Sequence, residues 1–330
     1  MKFGKLSTDQ AKEVVVVQAV PFGDDEGNSE PIVVNTSGKA VNLPSHGGGG
    51  IKEGELDADM AAKMVAAALV ICPTKQGVVA KRLSFGQINI VAQRAGLVEL
   101  DVDRITAMGR MATVVTCATV ANHVRVVSGT VVATIKVVST GVDMVQVTGM
   151  CSVIGTGDTG VMRIRPAVRT TATLIETLLP GGRVAPSGRR ILDERLDRLG
   201  ARLVQVEDTP HDSDAVAKAI QDAEGEIIVL LSVTATTRLD DVVPSTLLQV
   251  GGQVDRLGIP VNPGYSGFIG SYRGRPVIGM PASARSLALN GVDWVLERIV
   301  CGLSVSNDTI AALAIGGLLN DGHERGPHRG

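Results

Sequence analysis

Aromatic side chains are nearly missing from this sequence. They make up 2% of 330 residues, with one Trp, two Tyr and four Phe. Large rings bury the most area per residue, so the core must instead be assembled from Val, Leu, Ile and Ala. Paired cysteines are missing too. Cys72, Cys117, Cys151 and Cys301 are scattered with no C-x-x-C spacing, which excludes a zinc ribbon and a disulfide framework and leaves buried free thiols as the expectation. The five histidines (His46, His123, His211, His323 and His328) do not fall at ligand spacing with Cys or carboxylates. No apolar run reaches the roughly 18–20 residues that a bilayer requires. The opening "MKFGKLSTDQAKEV" has no apolar core or small-residue cleavage site, so a cytoplasmic protein is expected. A net charge of −2 argues against a general nucleic-acid binder, although it leaves room for a local basic pocket. Neither a G-x-x-x-x-G-K-[ST] loop nor a G-x-S-x-G elbow occurs.

What is present falls into two styles. Residues 1–165 read as a β-rich region with a short helix. "EVVVVQAV" (13–20) has the Val content of a strand, and "LPSHGGGGIKEGEL" reads as a glycine-rich loop. "DADMAAKMVAAALV" reads as a helix capped by Asp57 or Asp59, with Met60, Met64 and Ala67 or Ala68 on one face. From 78 to 150, "GQINIVAQRAGLVELDVDRI" reads as a strand or helix start, a turn at Gly96 and a second short strand, and "ATVVTCATV", "HVRVVSG" and "TVVATIKVVST" alternate Val and Thr, broken by Gly129 and Gly141, the pattern of hairpins. "GTGDTG" (155–160) matches a dinucleotide fingerprint by letter. It is followed by the β-like "VMRIRPAV" instead of a helix, so an interdomain turn is the better reading.

Residues 166–305 alternate strands and helices. "ATLIETLL", "RLVQVED", "EIIVLLSV", "QVDRLGIPVNPG" and "RPVIGMP" read as strands. "SGRRILDERLDRLGA" (capped by Ser187), "DSDAVAKAIQDAEG", "VVPSTLLQVGG" and "LNGVDWVLERIVCGL" read as helices. This alternation predicts an α/β domain with a parallel sheet covered by helices on both faces, and such sheets bind ligands beyond the carboxyl ends of their strands. The arginines of "GRRILDERLDRLGAR" are interleaved with Asp193, Glu194 and Asp197, as on a solvated face. Residues 306–330, ending in "DGHERGPHRG", read as a partly disordered tail.

Three strand-to-helix junctions in this half could carry chemistry. "LLSVTATTRLDDVVP" runs from an apolar strand into Ser232, Thr234, Thr236 and Thr237, then Arg238, Asp240 and Asp241, and then a Pro-started helix. Its hydroxyls and amides suit phosphate and its carboxylates suit Mg²⁺ or an amino group, while a plain cap by Asp240 or Asp241 is the simpler alternative. "GIPVNPGYSGFIGSYRG" contains the Pro263–Gly264 turn, which suits close backbone approach to a ligand or an ordinary β-hairpin turn. "RPVIGMPASARS" ends a strand at Pro281 and places Ser283, Arg285 and Ser286 at a helix start, where an anion is favoured.

At these three junctions the sequence resembles the molybdopterin-binding domain family of the MoaB/Mog type. The stretch "RPVIGMPASARSLALNGVDWVLERI" is most similar to bacterial members often fused to a nucleotidyltransferase, and "TLIETLLPGG", "SFGQINIVAQRAGL" and "SGTVVATIKVV" resemble the same subgroup. The resemblance implies a three-layer, parallel-sheet MoaB/Mog-like domain over 166–305 and a role in molybdenum cofactor biosynthesis. Its ligand would be molybdopterin, with Mg²⁺ as the accompanying ion.

By the same resemblance Asp241 would act on the pterin phosphate and metal. Ser232, Thr234, Asp240, Pro263, Gly264, Pro281, Ser283 and Arg285 would line the ligand, with the closing helix start also binding phosphate. If the chain is an enzyme, the resemblance implies a transferase acting on molybdopterin. A nucleotidyltransferase, another protein of the cofactor pathway or a second copy of the chain would be its partners, with no nucleic acid or membrane. Ser232 and Ala282 stand where the family has glycine. A Cβ at a left-handed position would hinder approach to phosphate, which supports an alternative: a non-catalytic carrier or interaction module that retains the fold with weakened binding.

Overall fold

The computed structural model describes residues 51–111, 113–155, 160–182 and 186–319. The strand expected at 13–20, most of the glycine-rich loop, positions 156–159 of "GTGDTG" and the end of the tail lie outside the described residues. The chain divides into two compact units, Met1–Pro166 and Ala167–Gly330.

The first unit runs β1 (Glu55–Asp57), α1 (Ala58–Leu69), α2 (Pro73–Gln76), β2 (Val78–Ser84), β3 (Gln87–Ala92), β4 (Gly96–Leu100), α3 (Val102–Met111), β5 (Val115–Thr119), β6 (Arg125–Val126), β7 (Val131–Val137), β8 (Gly141–Asp143), α4 (Met144–Ile154) and β9 (Met162–Arg165). Its strands pair antiparallel throughout, in sheets of order β2-β3-β7-β5, β6-β4-β9 and β1-β8.

Asp57 is the cap of α1, accepting the Met60 N–H at 2.7 Å, a contact worth ~1 kcal/mol. Asp59 instead pairs with Lys63 and Arg82. The buried side of α1 is Ala58, Ala61, Ala62, Val65, Ala66, Ala67, Ala68 and Leu69, while Met60 and Met64 stay half-buried. Small side chains let this helix lie close to its neighbours, which is how a core short of rings fills its volume.

Two helices interrupt the stretch expected to be all strand. Val-rich α4 forms because the Asp143 carboxylate accepts the Val145 N–H and starts it. Around "GTGDTG", helix α4 comes before and strand β9 after, the reverse of a dinucleotide fingerprint. All four cysteines are free thiols, with Cys151 and Cys301 buried and Cys72 and Cys117 half-buried. Burial pushes the Cys117 and Cys151 thiols up to about 11 and about 12, leaving them unreactive at neutral pH.

The second unit runs β10 (Thr171–Leu178), α5 (Pro186–Asp197), β11 (Arg202–Pro210), α6 (Ser213–Gln221), β12 (Ile227–Leu231), α7 (Val242–Gln249), β13 (Gln253–Leu257), β14 (Phe268–Tyr272), β15 (Arg275–Met280), a 3-10 turn (Ala282–Arg285), α8 (Gly291–Val300) and α9 (Asn307–Ala311). Helix α5 begins at Pro186, so Ser187 lies inside its first turn. One six-stranded sheet has the order β11-β10-β12-β15-β14-β13.

The sheet is mixed instead of wholly parallel. Strands β11, β10, β12 and β15 are parallel to one another, whereas β14 is antiparallel to both β15 and β13. The reversal comes from a two-residue turn at Arg273 (φ 49°) and Gly274 (φ 75°). Two left-handed residues in succession return a chain directly onto itself. Ile175, Ile228, Leu230, Val277, Phe268 and Tyr272 share one core with α6 and α7. On the opposite face α5 approaches, and a Cβ at Gly188 would lie 3.0 Å from Leu231 Cδ2. Within the expected tail, α9 forms and buries Ile310. Among the described residues no helix is long and apolar enough to cross a membrane.

Candidate functional site

Parallel pairing brings the carboxyl ends of β10, β11, β12 and β15 to one edge of the sheet. Polar residues are buried at that edge: Glu176 and Thr177 at the end of β10, Thr209 at the end of β11, and Ser232 and Thr236 just after β12. Burying polar groups is costly unless they are bonded, so their bonding partners define the local architecture.

The loop after β12 is held from within by Asp241. Its Oδ2 accepts the Thr237 N–H at 2.6 Å, the Arg238 N–H at 2.9 Å and the Thr237 hydroxyl at 3.4 Å. These amides hold its carboxyl below the usual carboxylate range. Asp241 occupies the N-cap position of α7 with extended backbone angles, yet its side chain makes no capping bond to the helix. Asp240 points its carboxylate into a two-bond pair with Arg238, at 2.7 and 2.8 Å, with both side chains exposed. Capping by either Asp is therefore not what this structure contains.

Ser232 and Thr234 are bonded to each other, Oγ to Oγ1 at 3.3 Å, and the Thr234 N–H donates to Ser232 Oγ at 3.2 Å. Arg285 arrives from the 3-10 turn after β15. Its Nη2 donates to the Ser232 carbonyl and to Glu176 Oε1, each at 3.3 Å. The first and third junctions thus meet. Glu176 is 2% exposed, and its Oε2 has no partner among the described residues.

The second junction goes elsewhere. The Pro263 carbonyl accepts the Gly291 N–H at 2.8 Å, and Gly264 (φ +139°) packs so closely that a Cβ would lie 2.8 Å from both Asn290 Oδ1 and Gly291 N. Its glycine serves the start of α8. That start is closed in every direction: Asn290 and Asp293 form a reciprocal capping box, and the Asn290 amide donates to Ser283 Oγ at 2.9 Å. The expectation that the closing helix start seats an anion is corrected accordingly.

Pro281 precedes the 3-10 turn, whose first residue, Ala282, has right-handed backbone. Among the described residues only His123 and Arg273 are non-glycine residues with positive φ, so Ala282 carries none of the strain expected of it.

Four contributors were not evident in the sequence. Glu176 and Thr177 sit in what reads simply as a strand, and His211 follows β11. Arg195 lies in the helix read as a solvated face, but it is 7% exposed. It bonds to Asp293 and to the carbonyls of Ala284 (2.6 Å), Ser286 (2.9 Å) and Ala288 (3.4 Å). One buried guanidinium thus shapes the whole 281–290 loop. Its i−4 and i+4 neighbours, Ile191 and Leu199, are buried, and that spacing was the available cue.

The result is a mixed α/β unit with a polar edge built from the loops after its parallel strands. No protein-family model matches the chain, and no curated protein matches it. Among solved structures it is similar to a molybdopterin biosynthesis MoeA protein from Pyrococcus horikoshii, at 17% identity over 64% of this chain and 68% of that one, with a TM-score of 0.32. It is also similar to a CinA protein from Thermoplasma acidophilum, at 15% identity over 36% and 92% of the two chains, TM-score 0.30. A third is a molybdenum cofactor biosynthesis protein B, at 14% identity over 40% and 94%, TM-score 0.29. With TM-scores this low, none of these likenesses assigns a fold or a function to this chain.

Proposed function

We propose that the second unit is a three-layer MoaB/Mog-like domain that binds molybdopterin in molybdenum cofactor biosynthesis, with the pterin phosphate at the loops after β12 and β15. The observation that carries this reading is the start of α7. The residue placed to cap it, Asp241, turns its carboxylate back onto Thr237 and Arg238 and gives the helix no side-chain cap. A helix start left this way favours an anion, and a phosphate would supply the missing acceptor. Hydroxyls of Ser232 and Thr234 stand on the same loop. Arg285 adds a guanidinium of which only Nη2 is engaged among the described residues. The sequence resemblance at these loops supplies the identity of the ligand.

Asp241 acts in this reading by ordering the loop's amides. The donor set does not fit a dedicated Mg²⁺ cage. Among the described residues no three His, Cys, Asp or Glu side chains come together, and the carboxylates of Asp240 and Asp241 are already engaged. No step is routed through a metal. If the site is catalytic, it is a transferase site that works by positioning and by donors aimed at phosphate charge.

The second reading, a carrier or interaction module with weakened binding, is favoured by two observations. The α8 start is closed by its capping box, and Arg285 is partly neutralised by Glu176. A nucleotidyltransferase or a second copy of the chain are the partners we propose for either reading. Titrating molybdopterin into the wild-type protein and into Asp241→Asn, with and without Mg²⁺, separates the two. Micromolar binding that the variant loses supports the first reading, and no binding at millimolar pterin leaves the second.

A further inference from the structure

A chain of hydrogen bonds crosses the carboxyl ends of three strands. Thr177 is the last but one residue of β10 and is 1% exposed. Its Oγ1 accepts the Val233 N–H at 2.9 Å and lies 3.0 Å from His211 Nδ1. The other imidazole nitrogen, Nε2, lies 3.2 Å from Thr234 Oγ1, which is 3.3 Å from Ser232 Oγ. No carboxylate takes the imidazole among the described residues: Asp208 pairs with Arg189, and Asp212 caps α6 through the Ala215 N–H.

Proton accounting fixes the direction of this chain as far as Thr234. The Thr177 hydroxyl already accepts one N–H, and its own proton is buried and needs an acceptor. Among the described residues the one acceptor within reach is His211 Nδ1. The neutral imidazole must then carry its proton on Nε2 and donate it to Thr234 Oγ1. With one lone pair taken by the imidazole N–H, the Thr234 hydroxyl is free to donate to Ser232 Oγ, which also accepts the Thr234 N–H. With Thr234 as that donor, Ser232 Oγ accepts twice, and its own proton is left to donate. The Ser232 carbonyl meanwhile holds Arg285 in place.

We propose that His211 is a positioning residue which, as the Nε2–H tautomer set by Thr177, presents the Ser232 hydroxyl as a donor to the ligand's phosphate oxygen beside Arg285. The serine where the resembled family has glycine is in this view a gained donor. The inference rests on the molybdopterin reading for the identity of the ligand, but not for the assignment of the proton.

The test has two arms. Imidazole nitrogen NMR on the ligand-free full chain at neutral pH should show neutral His211 with its proton on Nε2. Thr177→Ser should keep that tautomer, and Thr177→Val should shift the proton towards Nδ1. In molybdopterin titrations, Ser232→Ala and Thr177→Val should each weaken binding about tenfold, the loss expected from one hydrogen bond to a charged group. Thr177→Ser should bind as wild type, and the double variant should be no weaker than Ser232→Ala alone. An Nδ1–H tautomer or an imidazolium in the free wild-type protein overturns the inference, as does wild-type binding by Ser232→Ala. Both measurements stand even if Thr177→Val fails to fold. If the tautomer is as stated and the wild-type chain binds no molybdopterin, the functional reading fails and takes the positioning role with it, while the proton assignment survives.

Discussion

Helices α7 and α8 both start just beyond a strand of the same sheet, and both read from sequence as anion seats, yet their starts are built in opposite ways. Asn290 and Asp293 close α8 reciprocally, the Pro263 carbonyl takes the Gly291 amide, and Arg195 grips the preceding loop from beneath. At α7 the capping residue faces away from its helix and holds the loop before it. A satisfied helix start has no amides left to offer, whereas one whose cap is turned aside still does. The local alphabet of hydroxyls, Asp or Asn and a nearby arginine is shared, so the direction in which one side chain turns decides which start can take a ligand.

The largest effect should come from dismantling the closed start. Arg195→Ala removes one partner of a buried ion pair and strands three carbonyls. It should cost about 3–5 kcal/mol in denaturant unfolding. A smaller loss would remove Arg195 as the organiser of the 281–290 loop.

Next, Gly264→Ala forces a Cβ against Asn290 and Gly291 at a φ of +139° and should cost roughly 1–3 kcal/mol, read in the same way. Asn290→Ala opens the capping box and should cost ~1 kcal/mol. If the closed start is structural only, this variant should leave molybdopterin affinity unchanged.

At α7 the leverage is pH. The Thr237 and Arg238 amides depress the Asp241 carboxyl, so its contribution is fully present above the unfolded value of ~3.9 and is lost as pH falls through the lower folded value. Amide exchange at Thr237 and Arg238 should therefore stay slow through mildly acid pH and accelerate only below that value. Acceleration at higher pH would sever Asp241 from the loop. The smallest effect belongs to Asp240→Asn. Its pair with Arg238 is exposed on both sides, so the midpoint of thermal unfolding should not move measurably.

Much of the second unit was legible in the sequence. Strand β12 is an unbroken apolar run, and β10 and β15 are buried along most of their length, which is what cover on both faces produces, and Gly200 and Gly251 end their segments in left-handed conformation as their positions imply. The reversal at β14 was harder to read, because "SYRGR" needs Arg273 in a left-handed conformation that its own side chain disfavours. Helix α4 is hard to read because β-branched residues mask a helix whose cap, Asp143, is the one local cue. At the candidate site, the loop residues were identifiable from composition. Their bonding was not, since Thr177, His211 and Ser232 are far apart in sequence and meet only through the pairing of three strands.

The sequence by itself determined that the core would be aliphatic, that the second half would alternate strands with helices, and that hydroxyls, Asp241 and Arg285 would gather where strands end. These follow from side-chain chemistry and local periodicity, which neighbouring residues settle among themselves. The tertiary structure decided which helix start is closed, that Ala282 is unstrained, that Arg195 is buried, and which hydroxyls face the two nitrogens of His211. Each of those depends on donors and acceptors brought together from distant parts of the chain, where burial makes every unpaired group costly enough to choose one arrangement.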